Sequence, residues 1–251
     1  MRLSGRGLVI VAALAAGSLP AYAWTARVEE MVAREALRLM PASLRAVILP
    51  HVGELETGLR DAAASAGQPG HELVPDQKGD TAASRLADLA RRIPAMVDDH
   101  QPFSRVAYEM GALAHYVCDL NNPLNVSNAD PIEARYAADY DAFVEDRIEK
   151  FRLVFYGWDD PDLKKDDVAA AARTIATRSR RYYRHISSTY SPQNKTPLAQ
   201  RFDDRSLPFG IGSLSYSRSV SDTARFWLHA WKKANGDLTG TPYLARSAQR
   251  F

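Results

Sequence analysis

A histidine and an aspartate one helical turn apart, His115 and Asp119, are the residues of this sequence whose types and spacing most directly suggest chemistry. On a helix both side chains leave the same face, so one cation could bind the imidazole and the carboxylate together. The alternative is a core histidine whose polar atoms are satisfied by neighbouring groups, which is the commoner situation on an apolar helix face. The residues around the pair therefore decide whether a metal site or a core histidine is the better interpretation.

The pair lies in the segment 103–120, which is apolar on nearly all sides and predicts a helix buried within the protein. Pro123 ends or bends that helix. A histidine and an aspartate carried there need partners, because an unpaired buried charge is costly. Cys118, the single cysteine of the chain, is expected to be a buried small hydrophobe rather than a nucleophile.

Further helices must position this segment. Apolar residues recur with helical spacing in 27–40, 80–97, 131–151 and 166–183, and again in a last tryptophan-containing helix that follows a loop at 191–212. The basic residues of 178–190 are interpreted as a solvated helix end, with contact to a phosphate as the alternative. No segment shows convincing strand alternation, so the sequence predicts an all-α fold.

The first 23 residues have the features of a secretory signal peptide: two arginines, an apolar run at 8–16, and small residues at Ala21 and Ala23. We expect cleavage before Trp24, export to the periplasm or beyond the cell, and no transmembrane segment afterwards. Losing Arg2 and Arg6 reduces the basic residues from 32 to 30, against 30 acidic ones. This balance gives no support for a broad nucleic-acid or anionic-lipid surface. Residues 24–251 show no linker or repeat and are expected to form one domain.

The sequence resembles the zinc-dependent phospholipase C and S1/P1 nuclease family, whose members begin at a tryptophan created by signal cleavage, as Trp24 would be. The central family motif is His-Tyr-x-Gly-Asp-x-Asn-x-Pro-x-His, and it is matched at His115, Tyr116, Asp119, Asn121 and Pro123. Weaker matches occur at 71–76 and 140–144. The resemblance implies a single-domain helical fold with three zinc ions in a cleft between helices, where phosphate esters are hydrolysed.

Carried over residue by residue, the resemblance implies a first metal position of suitable donors, made by Asp61, His71, His115 and Asp119. A third position would use the amine and carbonyl of Trp24, Glu29 where the family has a histidine, and Asp119 as a bridge. A glutamate can bind zinc through oxygen, so this position is altered rather than abolished.

The second metal position is expected to be lost or very weak. It would use Asn125 in place of the last histidine of the motif, Ala137 in place of another histidine, and Asp141. A neutral amide is a poor zinc ligand and alanine is none. The resemblance therefore implies one or two bound Zn²⁺ ions rather than three.

Two functions follow from these residues. The first is an exported zinc-dependent phosphoesterase acting on a small phosphate ester or a phospholipid head group, with Asp61 orienting or deprotonating the attacking water. The second is a non-catalytic protein of the same fold, with a structural metal or none, that serves as a binding or envelope protein. Asn125 and Ala137 favour the second function, whereas the retained metal ligands favour bound zinc.

Overall fold

The computed structural model describes residues 24–65, 81–127, 136–190 and 202–245, and within these ranges the chain is helical, with no strand. The α-helices are α1 Ala26–Arg38, α2 Ala42–Ile48, α3 Val52–Ala64, α4 Thr81–Asp98, α5 Phe103–Asn121, α6 Ala137–Arg147, α7 Pro161–Lys164, α8 Val168–Arg180, α9 Tyr183–Thr189 and α10 Leu207–Lys233. Single 3-10 turns, Leu49–His51 and Ile148–Lys150, join α2 to α3 and follow α6. The prediction of an all-α fold is confirmed.

Helix α5 lies at the centre of the bundle, because it packs against α1, α3, α4, α8 and α10. Every residue from Leu113 to Asn121 is buried, which agrees with the apolar pattern of this segment. The buried run includes the polar residues His115, Asp119 and Asn121. These polar side chains therefore lie inside the helical core rather than on its surface.

Helices α3 and α5 approach closely enough for their backbones to touch. A methyl group on Gly58 of α3 would overlap the carbonyl oxygen of Tyr108, and one on Gly111 of α5 would overlap the carbonyl oxygen of Leu55. Glycine is required at both positions because a side chain would push the two helices apart.

The chain around Trp24 is fixed against the same central helix. The Trp24 side chain is buried, and its indole Nε1 donates a hydrogen bond of 3.1 Å to the backbone carbonyl of Cys118. Helix α1 follows directly and packs its buried face, which includes Val28 and Val32, toward α5 and α10. The residue that precedes α1 is thereby held against the part of α5 that carries the central motif.

The last helix begins earlier than the sequence predicts. Helix α10 starts at Leu207, so residues 207–212 are helical and not part of a loop. Pro208 is accommodated because a proline in the first helical turn loses no backbone hydrogen bond, and the Ser206 hydroxyl caps the helix by accepting from the Phe209 amide at 3.3 Å. Gly212 lets the Phe151 and Val144 side chains pack against the helix.

Two other boundaries differ from the predicted helices. The segment 166–183 forms α8, which ends at Arg180, and α9 begins after a turn at Tyr183. The described part of the segment 131–151 becomes helical at Ala137; Pro131 lies outside the described residues. No helix among the described residues is both long enough and apolar enough to cross a membrane.

Candidate metal centre

Glu29 of α1 and two residues of α5, His115 and Asp119, form a buried cluster. Nδ1 of His115 lies 3.0 Å from both carboxylate oxygens of Glu29, and Nε2 of the same ring lies 3.3 Å from Oδ2 of Asp119. The three residues are at most 2% exposed. One donor atom from each residue lies within 4.8 Å of the donor atoms of the other two. Among the described residues, this is the cluster of acidic, histidine or cysteine side chains that could hold a metal ion.

Local sequence and tertiary packing contribute differently to this geometry. His115 and Asp119 share one face of α5 because they are four residues apart. Glu29 lies in the first turn of α1, between the buried residues Val28 and Val32. Packing of α1 against α5 therefore brings the third residue of the cluster, Glu29, to Nδ1 of the imidazole ring.

The donor set suits a divalent cation. Zinc is commonly bound by histidine nitrogen and carboxylate oxygen, and this cluster offers one imidazole and two carboxylates. With both carboxylates ionised, the three side chains carry a net negative charge even when the imidazole is protonated. A net charge buried in this way is costly unless it is compensated, and a cation would compensate it. A buried Glu-His-Asp group that could bind a metal is thus present.

The same geometry has a metal-free alternative. If both ring contacts are hydrogen bonds, both nitrogens of His115 must carry protons, so the ring would be an imidazolium between two carboxylates. A metal would take the place of a ring proton, because only a deprotonated nitrogen can be a ligand.

The two candidate ligands of the second metal position, Asn125 and Asp141, are each engaged with a neighbouring polar side chain. The Asn125 amide lies 3.4 Å from Oδ1 of Asp119, as the donor. Asp141, which is buried on α6, accepts a 3.2 Å hydrogen bond from Nδ2 of Asn122, and Oδ1 of Asn122 accepts from the Leu124 amide at 3.0 Å. Ala137 is partly buried at the start of α6. These contacts link α6 to the turn after α5.

The remaining predicted ligands are separate from the buried cluster or lie outside the described residues. Asp61 is exposed on α3, where its carboxylate accepts a 3.0 Å hydrogen bond from the Tyr108 hydroxyl. Burial and the nearby Asp61 carboxylate raise the pKa of Tyr108, so the phenol stays a donor at neutral pH. His71 lies outside the described residues. The structure brings Glu29, rather than Asp61, to the His115 ring.

Cys118 occupies the turn between His115 and Asp119 of α5 and is fully buried, as expected of a small hydrophobe. Burial raises the pKa of its thiol well above the usual value, and the charges of Glu29 and Asp119 act in the same direction. The thiol therefore stays protonated and unreactive at neutral pH.

A second polar network, which the sequence did not predict, lies beside Asn121. Asp222 of α10 is buried, and its carboxylate accepts from Asn121 at 3.1 Å, from Arg225 at 3.0 Å, and from Arg178. The interpretation of Arg178 as part of a solvated helix end is wrong, since its guanidinium also donates to Oδ1 of Asn121 at 3.0 Å and its side chain is 23% exposed. The sequence did contain one indication of this network: Asp222 is an isolated acidic residue among the small and apolar residues of α10.

Comparison with known proteins finds no matching family model and no matching curated protein. Among solved structures, the alpha-toxin of Clostridium perfringens, from an avian strain, matches with a TM-score of 0.61 and 14% identity over 83% of this chain. The alpha-toxin of Clostridium absonum matches with a TM-score of 0.62 and 15% identity over 87% of this chain. The chain has a fold similar to that of these toxins.

The similarity covers 64% of the first toxin and 65% of the second, so this chain corresponds to somewhat less than two thirds of either. At such identities the matches show the fold alone. They confirm the expected phospholipase C-like helical fold.

Proposed function

We propose that this chain is an exported zinc-dependent phosphoric ester hydrolase in which Glu29, His115 and Asp119 bind the central metal ion. The observation that carries the proposal is the buried cluster of these three side chains within a phospholipase C-like fold. Zinc, when bound, would supply a water of lowered pKa and would offset charge on the phosphate oxygens.

The residues around the cluster have separate positioning roles in this proposal. The Trp24 indole, bound to the Cys118 carbonyl, holds the turn of α5 that lies between His115 and Asp119. The Asn125 amide contacts one oxygen of Asp119 and so favours an orientation that leaves the other oxygen toward the His115 ring. These contacts would keep the ligands oriented before a metal or substrate arrives.

Asp61 is the proposed general base. Its exposed carboxylate can reach solvent, and the Tyr108 hydroxyl fixes one of its oxygens by donating a hydrogen bond. A carboxylate held in this way could orient or deprotonate an attacking water. The family resemblance implies in addition that Asp61 and His71 are both metal ligands of the first position.

The proposal includes one or two zinc ions. A signal peptide at 1–23, which lies outside the described residues, would release the Trp24 amine on cleavage, and that amine with its carbonyl could complete a site with Glu29 and Asp119. A site built on Asn125 and Asp141 would be weak, because the Asn125 amide nitrogen faces Asp119 and Asp141 is bound by Asn122. The substrate would be a small phosphate ester or a phospholipid head group.

A second candidate function is a non-catalytic protein of the same fold. It is favoured by the same observation on Asn125 and Asp141, since each is held by a hydrogen bond to another side chain, Asn125 to Asp119 and Asp141 to Asn122. In this case the Glu29 cluster would hold a structural metal or only protons, and the protein would act by binding.

Substitution of His115 tests the proposal. His115→Ala should remove bound zinc and lower the melting temperature, whereas His185→Ala, which changes an exposed histidine of α9, should do neither. Zinc is measured by elemental analysis and activity with bis(p-nitrophenyl) phosphate and with phosphatidylcholine. Unchanged zinc content in His115→Ala would refute the metal assignment. Zinc lost together with hydrolysis supports the enzyme, and zinc without any hydrolysis in the wild type supports the non-catalytic candidate.

A further inference from the structure

On the side of α5 that carries Asn121, two arginines, Arg178 and Arg225, bind the Asp222 carboxylate, and a third, Arg218, lies one turn before Asp222 on α10. Arg218, Asp222 and Arg225 lie on one face of α10, because they are spaced by four and three residues. Arg178 approaches from α8 and donates to Asp222 and Asn121. Within this group the formal charge is three positive against one negative.

Arg225 has a structural role, because each of its three side-chain nitrogens donates a hydrogen bond. Its guanidinium donates to Asp222 at 3.0 Å, to the Gly157 carbonyl at 2.8 Å and to the Tyr156 carbonyl at 2.6 Å. The Tyr156 amide in turn donates to the Ser221 hydroxyl at 3.1 Å. Tyr156 is thereby fixed against α10 on both sides of its backbone.

Arg218 is different, because no carboxylate or carbonyl in the described part of the chain accepts a hydrogen bond from it. Its guanidinium lies 3.4 Å from the centre of the Tyr156 ring and is partly buried. Burial and the positive charge of Arg178 lower the pKa of Arg218. Arg178 is bound through one terminal nitrogen, Nη2, so its other two nitrogens also have no acceptor among the described residues.

We propose that Arg178 and Arg218, with the Tyr156 ring as a fixed wall, form a binding site for the phosphoryl group of a phosphate ester or of free phosphate. A planar guanidinium matches two oxygens of a tetrahedral oxyanion, and a partly desolvated pair of guanidiniums binds it more strongly than solvated lysines would. The surplus of two positive charges matches a phosphate monoester, which carries about −1.5 to −2 near neutral pH.

This site is distinct from the candidate metal centre. Asn121, which contacts Arg178, is two residues beyond Asp119 on α5, so the two side chains leave the helix about 200° apart. The phosphoryl site therefore goes beyond the proposed hydrolase function and can be tested without regard to hydrolysis.

The test is a calorimetric titration of the protein with inorganic phosphate, against sodium chloride at equal ionic strength. We expect saturable phosphate binding with a component that Arg218→Gln weakens roughly tenfold or more. Arg218→Lys should recover part of the affinity, because it restores the charge but not the planar fork. Arg91→Gln, which changes an exposed arginine paired with Asp88, should bind like the wild type.

Two further titrations separate the sources of the signal. Glu29→Gln should retain phosphate binding, because the metal centre is not part of this site. Binding of glycerol phosphate as well as inorganic phosphate would show that the site accepts the phosphoryl group of a larger molecule. Binding of inorganic phosphate alone would show that the site has no room for an ester group, and either result supports the proposal.

The proposal fails if chloride reproduces the effect of phosphate, if the wild type shows no saturable binding, or if Arg218→Gln binds phosphate unchanged. Arg218 donates no hydrogen bond within the described structure, so Arg218→Gln should keep the wild-type circular dichroism spectrum. If it does not, Arg218→Lys serves as the deciding variant, and unchanged affinity in it would overturn the role assigned to the guanidinium fork.

Discussion

His115 is held between two carboxylates, with Glu29 on one ring nitrogen and Asp119 on the other. Each nitrogen of the ring therefore has a carboxylate within 3.3 Å, and both contacts favour the observed orientation of the ring. A buried arrangement of this kind is useful when it binds a cation, because the ligands are oriented in advance. Removing either carboxylate should therefore weaken both metal binding and the fold.

Glu29→Gln tests the role of Glu29, which the packing of α1 on α5 brings to the His115 and Asp119 pair. We expect at least a tenfold loss of zinc affinity, because an amide is a poor zinc ligand, and a fall of roughly 1–3 kcal/mol in the free energy of unfolding from the disturbed buried contact. Elemental analysis and urea unfolding provide the two measurements.

Glu30→Gln is the matched control for this prediction. Glu30 is the next residue of α1 and forms an exposed ion pair with Arg60 at 3.0 Å, so its loss should cost less than about 1 kcal/mol and leave zinc unchanged. Equal zinc content in the two variants would contradict a ligand role for Glu29.

The spacing of His115 and Asp119 could be predicted to place them together because a four-residue separation acts within one helix. The contact of Glu29 with His115 depends on how α1 packs on α5, which no local pattern contains; the family resemblance marked Glu29 as a ligand but grouped it with Trp24. The Asp222 network escaped prediction for the same reason, since Arg178 and Asn121 come from segments far apart in sequence. The roles of Asp61 and His71 stay predictions.

At the scale of the helices, the separation of α3 and α5 is set by Gly58 and Gly111. Because backbone rather than a flexible side chain faces each glycine, the structure has no local way to make room for a methyl group. This contact also fixes where α5 lies, and hence where the buried His115 and Asp119 side chains lie.

Gly58→Ala is expected to lower the free energy of unfolding by about 3 kcal/mol, as overpacking against a rigid backbone does. Gly53→Ala, in the first turn of the same helix, meets no atom within 4 Å and should stabilise the protein by about 0.4–1 kcal/mol. Denaturant unfolding of the two variants gives the comparison. A Gly58→Ala protein as stable as the wild type would show that α3 and α5 do not pack as described.

The end of α10 is tied to the turn before α8 through Asp166. Lys233 donates to this carboxylate at 2.6 Å, and Nε2 of His229 lies 3.0 Å from its other oxygen. Hydrogen bonding from Lys233 lowers the pKa of Asp166. Burial nevertheless lowers the pKa of His229, because it outweighs the attraction of Asp166.

This shift gives a pH dependence with a defined sign. The unfolded chain protonates His229 at its ordinary value, near pH 6.5, whereas the folded protein resists protonation to a lower pH. Stability should therefore fall as the pH drops below about 6.5. The fall in melting temperature between about pH 7.5 and about pH 5.5 should be smaller in His229→Gln, and equal falls in both proteins would contradict the effect of burial.

The helices that the sequence predicted best are those with one clear apolar face or with an apolar surface all round. The segment 27–40 became α1 and the segment 103–120 became α5, each within about two residues. The start of α10 was missed because Pro208, Gly210 and Gly212 are typical of loops, although a proline is tolerated in a first turn and Gly212 is used for packing. No helix was assigned between Pro41 and Asp80, where α2 and α3 lie.

At the scale of the whole molecule, the all-α class could be predicted because strands leave an alternating pattern that this sequence lacks. The arrangement of the helices could not be derived from periodicity, since a helical face does not identify its partner. The family resemblance supplied that arrangement, and the similarity to clostridial alpha-toxins supports it at the level of the fold. Export of the protein and the start of the mature chain at Trp24 belong to the proposed function.

Zinc binding by the mature protein is the property on which the proposed function most directly depends. The measurement is the zinc content per chain, by elemental analysis, of protein processed to Trp24 and carrying no amino-terminal tag. We predict about one or two zinc ions per chain that survive dialysis and are lost in Glu29→Gln and His115→Ala. Absence of bound metal after exposure to zinc would contradict the account and would leave the buried Glu29, His115 and Asp119 cluster as a proton-linked element of the core.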